Sequence, residues 1–359
     1  MRIGILTFHR AHNYGAVLQC YALQETIRRK GHDVEIIDYK QPFIEELYEP
    51  HFQLIYFLKL CLLLKVKNAV HYLTKYKNDL KRKVNFSNYR EKYQLLSQPF
   101  NSSEIPMSYN CYIIGSDQVW ASYCTNGYDP IFWGHLDRPR NSKLYGYAIS
   151  GDMSSHQELS DDQIRKNMDL FDDVSFREES LRDDIERVTG KRKKICIDPT
   201  LLTEPELWEP MLNDKWQERK YVAVYQVRRK SSNPTLVEDK ALSFAKRNGY
   251  EVIDLNGNGT SYSVEDFVSI IKYAKCIFTS SFHATVFSIL FRTPFFSFKL
   301  NDGHDDRYVN LLHSLQLDSH IADEDSEILD VIAFDEKQLT EQLAAIRKAS
   351  FNYLEQIIL

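Results

Sequence analysis

The chain has 359 residues, which exceeds the usual size of one domain and predicts two domains, each with its own core. Hydrophobic residues make up 43% of the chain and charged residues 26%, as in ordinary globular enzymes. The formal net charge of −5 argues against general nucleic-acid binding, because that function needs a basic protein.

The cysteines and the N-terminus indicate a cytoplasmic protein. Six cysteines occur without a Cys-x-x-Cys pair, so we interpret them as reduced core residues. The chain begins directly with a predicted strand instead of a basic stretch and a long apolar segment, so no signal peptide is expected. The sequence contains no run of about 18 apolar residues, so no membrane span is expected.

The N-terminal segment has the pattern of a strand, a helix and a second strand. Residues 2–8 are the apolar first strand, residues 16–29 have helical spacing, and Gly31 ends the helix. Residues 33–39 are the next strand. This βαβ pattern predicts the start of a parallel sheet.

The loop between the first strand and the first helix contains candidate binding residues. Ligands of open parallel sheets bind outside the carboxyl ends of the strands, and residues 9–15 occupy such a position. The candidates are His9, Asn13 and Gly15, and the last two suit a turn that brings backbone amides close to a ligand. The alternative is a tight connection without a binding role. The loop has no Gly-x-Gly-x-x-Gly motif, so no dinucleotide is expected.

Residues 51–100 interrupt the alternation of strands and helices. Residues 52–66 are strongly apolar, and residues 67–83 contain six lysines and arginines against a single acid, Asp79. We favour a helical insertion that packs on the N-terminal domain and has a solvated basic face. The alternative is peripheral contact of residues 52–83 with an anionic membrane surface, at the inner face of the cell membrane.

Two further strand ends carry polar candidates. Residues 111–114 predict a buried strand, and the loop that follows contains Ser116, Asp117 and Gln118, which can bind sugar hydroxyls. Asp117 has the alternative role of capping the next turn.

A later predicted strand, residues 173–177, ends at Arg177. This arginine can bind an anion, with an ion pair to Glu178 or Glu179 as the alternative.

The second half of the chain repeats the strand and helix pattern. Strands are predicted at residues 221–225, 251–254 and 295–298, and helices at residues 233–247, 264–273 and 309–315. We assign residues 1–205 to an N-terminal α/β domain with a helical insertion at about 50–100, residues 206–338 to a C-terminal α/β domain, and residues 339–359 to a helix that braces the first domain. The predicted fold class is α/β, with two doubly wound Rossmann-like domains facing a cleft in a GT-B-like arrangement.

Residues 276–290 predict a strand, a short loop rich in hydroxyl groups, and a helix. His283 then lies at or near the helix start. The first amides of a helix have no partner within it and carry the positive end of the helix dipole, so Ser281 and the amides up to His283 can hold an anion. The alternative is that the serines only cap the helix and that His283 packs in a crevice.

Four stretches of the chain occur in a characteristic order. They are residues 4–9 with 13–19, residues 115–120, residues 175–178 with 198–202, and residues 280–291 (Ser-Ser-Phe-His-Ala-Thr-Val-Phe-Ser-Ile-Leu-Phe) followed by Pro294. Together they resemble the signatures of the polysaccharide pyruvyl transferase family, and the resemblance spans residues 3–307. Each stretch alone is weakly specific, whereas four in order are a strong indication.

The resemblance implies a phosphoenolpyruvate-dependent transferase that moves pyruvate onto two hydroxyls of one sugar residue during capsule or exopolysaccharide biosynthesis. Phosphoenolpyruvate is then the co-substrate, the acceptor is a lipid-linked sugar, and no metal or other cofactor is expected. His283 is the candidate for proton transfer because its charge changes near neutral pH. Arg177, Ser281, Lys299 and Arg307 are the candidates for binding phosphoenolpyruvate.

One position departs from the family pattern. Many relatives have arginine just before the histidine, where this chain has Phe282. Phosphate binding is therefore expected to depend on Arg177 and on the segment after Pro294, although Lys299 also suits a plain surface position.

Two other functions remain as alternatives. A GT-B nucleotide-sugar glycosyltransferase has the same architecture and needs an acid for the donor ribose, for which Glu265 or Asp266 is available. A catalytically silent scaffold that binds polysaccharide or partner enzymes is the other, and it would bind phosphoenolpyruvate without turnover.

Overall fold

The computed structural model describes residues 1–63, 65–101, 108–155, 158–256, 261–303 and 305–359. These residues form two compact units. The first unit comprises residues 1–47, 91–204 and 335–359, and the second comprises residues 48–90 and 205–334. Residues 48–90 therefore group with the second unit, whereas the sequence analysis assigned them to the first domain. Leu64, part of the predicted apolar helix, lies outside the described residues.

The strands and helices follow the predicted order, with additional short elements. The strands are β1 (Arg2–Leu6), β2 (Asp33–Ile36), β3 (Cys111–Ile114), β4 (Asp117–Trp120), β5 (Lys143–Gly151), β6 (Asp173–Phe176), β7 (Lys194–Ile195), β8 (Tyr221–Tyr225), β9 (Glu251–Asp254), β10 (Cys276–Thr279), β11 (Phe295–Phe298) and β12 (Ile321–Ala322). The α-helices are α1 (Tyr14–Arg29), α2 (Pro42–Leu47), α3 (Leu54–Leu62), α4 (Val66–Tyr93), α5 (Ser122–Thr125), α6 (Asp161–Met168), α7 (Glu179–Thr189), α8 (Leu236–Asn248), α9 (Val264–Tyr273), α10 (Phe282–Phe291), α11 (Asp306–Ser314) and α12 (Glu336–Ile358).

The first unit contains a parallel sheet with the strand order β2-β1-β3-β5-β6-β7, and β4 pairs with β5. The chain moves from β1 to β2 on one side and then returns to place β3 on the other side of β1. Because such crossovers are right-handed, this reversal puts successive helices on opposite faces of the sheet. The point between β1 and β3 is thus the switch point of the first sheet.

The second unit contains a parallel sheet with the strand order β12-β11-β10-β8-β9. Its switch point lies between β8 and β10, by the same reasoning. All residues of β8, β10 and β11 are buried, as expected for parallel strands that are covered on both faces. The two parallel sheets confirm the predicted α/β fold class with two Rossmann-like domains.

Helix α12 completes the core of the first unit. Its side chains Tyr353, Leu354 and Ile357 belong to the same buried cluster as Ile3 and Ile5 of β1. Hydrogen bonds add to this packing, because the Arg347 guanidinium donates to the carbonyls of Leu201 and Thr203.

The prediction that all six cysteines are core residues is correct for four of them. Cys61 is exposed and Cys124 is partly exposed, which corrects the prediction for these two. Cys61 lies on α3, where most of the apolar side chains are exposed as well.

Candidate functional site

Side chains at the first switch point connect the loops that follow β1 and β3. Thr7 Oγ1 donates to the Ser116 carbonyl over 2.8 Å, and Gln19 Nε2 donates to Thr7 Oγ1 over 2.9 Å. Ser116 Oγ donates to the Ala148 carbonyl at 3.1 Å. These buried bonds hold the two loops together at the edge where ligands of such sheets bind.

His9 and its neighbour Arg10 bind a buried carboxylate, that of Asp38. His9 Nε2 lies 2.8 Å from Asp38 Oδ1, and its Nδ1 lies 3.1 Å from the Thr7 carbonyl. The Arg10 guanidinium donates to both Asp38 oxygens, at 2.5 and 2.8 Å. The Thr7 carbonyl and the Asp38 carboxylate can only accept hydrogen bonds. Both contacts are therefore hydrogen bonds when each ring nitrogen of His9 carries a proton. His9 is fully buried and has a structural role here, and its predicted contact with an acceptor sugar stays a prediction.

The Asp38 cluster predicts how stability changes in acid. Burial by itself raises the pKa of Asp38, but the hydrogen bonds and charges of His9 and Arg10 outweigh it and hold that pKa well below its ordinary value. A carboxyl whose pKa is lowered in the folded state contributes its full stabilisation at pH values above its unfolded pKa of about 4. This contribution is lost as the pH falls through the folded pKa.

We therefore expect Asp38→Asn to have a lower free energy of unfolding than the unchanged protein at pH 7. The gap between these two free energies should narrow as the pH falls from about 5 to about 2. Urea unfolding at several pH values measures this gap. Asp33→Asn is the control, because Asp33 is exposed and lies 3.8 Å from Arg2. A gap that does not depend on pH would contradict the assignment.

Asn13 and Gly15 belong to the start of α1. Asn13 Oδ1 accepts from the Ala16 amide at 3.3 Å and caps the helix. Helix α1 begins at Tyr14, so Gly15 lies in its first turn and not in the loop, which corrects the predicted boundary. The two residues place the positive end of α1 at the first switch point.

Asp117 lies at the same edge, in a short strand that the sequence analysis interpreted as a loop. Its φ of 79° is in the left-handed region, and it pairs with Ile149 of β5. Gly115 has a φ of 109°, and a Cβ there would lie 2.4 Å from the Tyr147 carbonyl oxygen, so the chain turns where only glycine is accommodated. The side-chain amide of the neighbouring Gln118 donates from Nε2 to the Tyr123 hydroxyl.

Arg177 is enclosed by protein groups at the carboxyl end of β6. Its guanidinium donates to Asp198 Oδ2 at 2.8 Å, to Glu178 Oε1 at 3.0 Å and to Ser150 Oγ at 2.8 Å. The side chain is 4% exposed. Burial by itself lowers the pKa of Arg177, but the charges of Glu178 and Asp198 outweigh it and raise that pKa above its ordinary value. The contacts indicate that Arg177 balances two buried carboxylates, and its binding of phosphoenolpyruvate stays a prediction.

The second switch point is built from the hydroxyl residues after β10. Thr279 Oγ1 donates to the Tyr225 carbonyl at 2.6 Å and accepts from the Ser281 amide at 2.9 Å. Ser280 Oγ donates to the Arg228 carbonyl at 2.9 Å. Ser281 caps α10, with its Oγ 3.4 Å from the Ala284 amide. The loops after β8 and β10 are therefore joined, as the loops are at the first switch point.

His283 is the second residue of α10 and lies in its first turn. The side chain is buried, and its ring packs edge-on against Phe282 with 5.2 Å between centroids. The predicted placement of His283 at a helix start thus agrees with the structure. His283 thus belongs to the turn whose amides form the positive end of α10.

Arg228 is a cation at this switch point that the sequence analysis missed. Its guanidinium donates to Asp302 and, at 3.2 Å, to Asp305 Oδ1, and its side chain is 21% exposed. Asp305 is itself held by the amides of Leu300 and Asn301, at 2.9 and 2.7 Å. Arg228 follows β8, which forms this switch point with β10. That position in the sequence was the signal that could have identified it.

The predicted cations Lys299 and Arg307 lie further along the chain. Lys299 directly follows β11, where its amide donates to the Ala322 carbonyl at 2.8 Å. Arg307 is the second residue of α11, a helix that contacts α10. Both side chains are half-buried, and their contact with phosphoenolpyruvate stays a prediction.

Three of the four motifs lie at the two switch points, and the motif that contains Arg177 lies at the carboxyl end of β6. The model of the polysaccharide pyruvyl transferase family matches residues 13–302. The chain belongs to the polysaccharide pyruvyl transferase family. This match confirms the family resemblance seen in the sequence. It includes every predicted site residue except His9 and Arg307, which lie outside the matched range.

Comparisons with individual proteins add little about this pyruvyl transferase family member. A search of curated proteins found no match. Among solved structures, it is similar to a candidate UDP-N-acetylglucosamine 2-epimerase from Listeria monocytogenes (8% identity, 97% of this chain and 89% of that chain, TM-score 0.41). It is also similar to Acinetobacter baumannii MurG (10% identity, 99% and 98%, TM-score 0.39) and to the E. coli heptosyltransferase WaaC (10% identity, 83% and 88%, TM-score 0.37). These TM-scores are too low to assign an activity.

Asp266, one of the two acids considered for a glycosyltransferase, has structural partners. Asp266 Oδ1 accepts from Trp216 Nε1 at 2.9 Å and from Lys215 Nζ at 2.6 Å. It lies in the first turn of α9, whose N-cap is Ser263. These contacts favour a packing role for Asp266, so no observation on this residue supports the glycosyltransferase alternative.

Proposed function

We propose that the chain transfers pyruvate from phosphoenolpyruvate onto two hydroxyls of one sugar residue and forms a cyclic ketal. One hydroxyl oxygen bonds to C2 of phosphoenolpyruvate while C3 gains a proton and becomes a methyl group. The C–O bond to phosphate then breaks, the second hydroxyl bonds to C2, and inorganic phosphate leaves with the remaining proton. The acceptor gains the mass of pyruvic acid less one water.

The observation that carries this proposal is the position of His283. It lies beside the first amides of α10 at the second switch point, within a chain that belongs to the polysaccharide pyruvyl transferase family. Helix amides favour an anion such as the phosphate or carboxylate of phosphoenolpyruvate. An imidazole at that position can protonate C3 and then accept a proton from the second hydroxyl, because histidine exchanges protons near neutral pH.

Many relatives have arginine at the position of Phe282. We propose that in this chain Arg228 supplies the positive charge for the phosphate instead. Its backbone carbonyl accepts from Ser280 in the loop before α10, so the residue is anchored at that loop. The proposed acceptor-binding residues remain His9, Asn13, Gly15, Ser116, Asp117 and Gln118. Their hydroxyl, amide and carboxylate groups suit sugar hydroxyls.

The direct test is incubation of the purified protein with phosphoenolpyruvate and a panel of lipid-linked and aryl glycosides. We expect equal amounts of phosphate and of a product with the ketal mass. Phosphoenolpyruvate binding without either product across the panel would favour the scaffold interpretation. Turnover of a nucleotide sugar without phosphoenolpyruvate would contradict the proposal.

Arg228→Gln tests the proposed phosphate contact. We expect the KM for phosphoenolpyruvate to rise about tenfold or more with a smaller change in kcat, since a charge-assisted hydrogen bond contributes roughly 1.5–3 kcal/mol. Arg229→Gln is the matched control, because Arg229 pairs with Glu238 and is more exposed. Equal KM values for the two variants would remove Arg228 from the donor site.

A further inference from the structure

The surface of α3 is almost entirely apolar and exposed. Ile55 and Leu62 are 85% and 83% exposed, and Leu54 and Leu58 are about half exposed. Leu60 is the one buried residue between Leu54 and Leu62. Single exposed leucines are common on proteins, but a contiguous group of this kind marks a binding surface.

Helix α4 extends this surface with an apolar stripe. Val66, Val70, Leu80 and Val84 are 40% to 63% exposed. At about 100° per residue they fall within one sector of roughly 80° on the helix. Lys77 lies in the same sector. The stripe is therefore a continuous outer face of α4, about five turns long.

Exposed lysines flank the apolar side chains. They are Lys59, Lys65, Lys67, Lys77 and Lys81. Residues 48–90 contain nine lysines and arginines and two acids, whereas the rest of the chain contains 36 lysines and arginines and 48 acids. The positive charge of this segment thus contrasts with the acidic remainder of the chain.

The two helices are held together on their inner side, so their outer faces are set by packing. Phe52 packs against Phe57, Tyr72 and Tyr76 with 5.0 to 5.7 Å between ring centroids. The Gln53 amide donates to the Tyr72 hydroxyl at 2.8 Å.

Two further basic residues of α4 have partners of their own. Lys83 Nζ lies 2.6 Å from Glu49, and the Arg82 guanidinium lies over the Phe86 ring. They are therefore distinct from the five flanking lysines, and the charge variant leaves them unchanged.

We propose that this outer face of α3 and α4, the 54–84 surface, binds an anionic lipid membrane. The apolar side chains enter the boundary between headgroups and acyl chains, and the lysines contact the acidic headgroups. No helix among the described residues is long and apolar enough to cross a membrane, so the contact is peripheral. A second copy on the same face would oppose two strongly basic segments, which charge repulsion disfavours. The proposal does not depend on the pyruvyl transfer activity.

Vesicle sedimentation tests the binding. We expect the full chain to pellet with phosphatidylcholine vesicles that contain about a third phosphatidylglycerol, to stay in solution with pure phosphatidylcholine, and to dissociate as salt rises. The double variant Ile55→Ser with Leu62→Ser should bind at least tenfold more weakly. Its control, Leu242→Ser with Leu329→Ser, changes two exposed leucines elsewhere in the second unit and should bind like the unchanged chain.

A charge variant separates the contribution of the lysines. Replacing the five lysines of the 54–84 surface with glutamine should also weaken binding at least tenfold. A matched control replaces five exposed lysines elsewhere, namely Lys166, Lys191, Lys220, Lys246 and Lys337. This control keeps the same net charge as the test variant, so equal binding of the two would overturn the proposal.

The exposed thiol of Cys61 reports directly on insertion. In a Cys124→Ser background the other cysteines are buried, so a polarity-sensitive fluorophore reacts selectively at Cys61 on α3. We expect its emission to shift to the blue with the anionic vesicles and to stay unchanged with the neutral ones. An unchanged spectrum with anionic vesicles would contradict insertion.

Analytical ultracentrifugation addresses the competing occupant. If the unchanged chain is a dimer and Ile55→Ser with Leu62→Ser is a monomer, a second copy covers the face and the membrane proposal is wrong. A monomer in both cases, together with pelleting on anionic vesicles, supports it.

Discussion

His283→Ala is expected to lower kcat for pyruvyl transfer by about 10²–10⁴-fold, the usual cost of losing a proton-transfer group. His283 lies in the first turn of α10, whose amides are proposed to hold the donor. A small change in the KM for phosphoenolpyruvate should accompany this loss, because the amides and Ser281 remain. Steady-state kinetics with varied phosphoenolpyruvate measure both quantities, and the thermal unfolding midpoint shows whether the fold is intact.

Two further variants make this prediction specific. His283→Asn retains a polar side chain without proton transfer and should be as slow as the alanine variant. His313→Ala removes an exposed histidine of α11 that pairs with Asp318, and it should keep the full rate. A His283→Ala variant with the unchanged rate and pH profile would exclude this residue from proton transfer.

Arg177→Ala is expected to lower the free energy of unfolding by about 3–5 kcal/mol, because it leaves two buried carboxylates without their counter-charge. The side chains of Asp198 and Glu178 are 0% and 6% exposed, so water does not replace the guanidinium. Urea unfolding measures the loss, and Arg177→Lys should recover part of it. Arg187→Ala is the control, since Arg187 is exposed and lies 3.7 Å from Asp184, and it should change stability by less than about 1 kcal/mol.

The Arg177 variant also separates the two roles considered for this residue. If Arg177→Ala lowers the stability and its folded fraction keeps the KM for phosphoenolpyruvate, the role of Arg177 is to stabilise the carboxyl end of β6. Unchanged stability with a raised KM for phosphoenolpyruvate would instead favour the binding role inferred from the sequence.

The alternation of strands and helices and the placement of His283 could be predicted from the sequence, because both depend on local patterns. The run from Cys276 to Thr279 is apolar and buried, and the hydroxyl residues that follow end it before α10. The strand Asp117–Trp120 was missed because it follows a glycine turn without a periodic pattern of its own.

Features that depend on distant residues could not be read from local patterns. Arg177 pairs with Asp198, 21 positions away, and the polar loop that contains Arg228 carries no motif. The grouping of residues 48–90 with the second unit involves contacts such as that from Asn85 to Ser261, 3.4 Å apart and 176 positions apart in sequence. Such pairings arise from packing of the complete chain.

The packing of α12 also determines the order in which the two units can fold during translation. The second unit consists of residues 48–90 and 205–334, so all of it is synthesised before α12 emerges from the ribosome. The first unit lacks Tyr353, Leu354 and Ile357 from its core until α12 has been synthesised. Domains generally fold from the N-terminus onward as they are made. In this chain the cluster around Ile3 and Ile5 can instead be completed only after the second unit has been made, so the apolar surface that α12 covers is exposed during that interval.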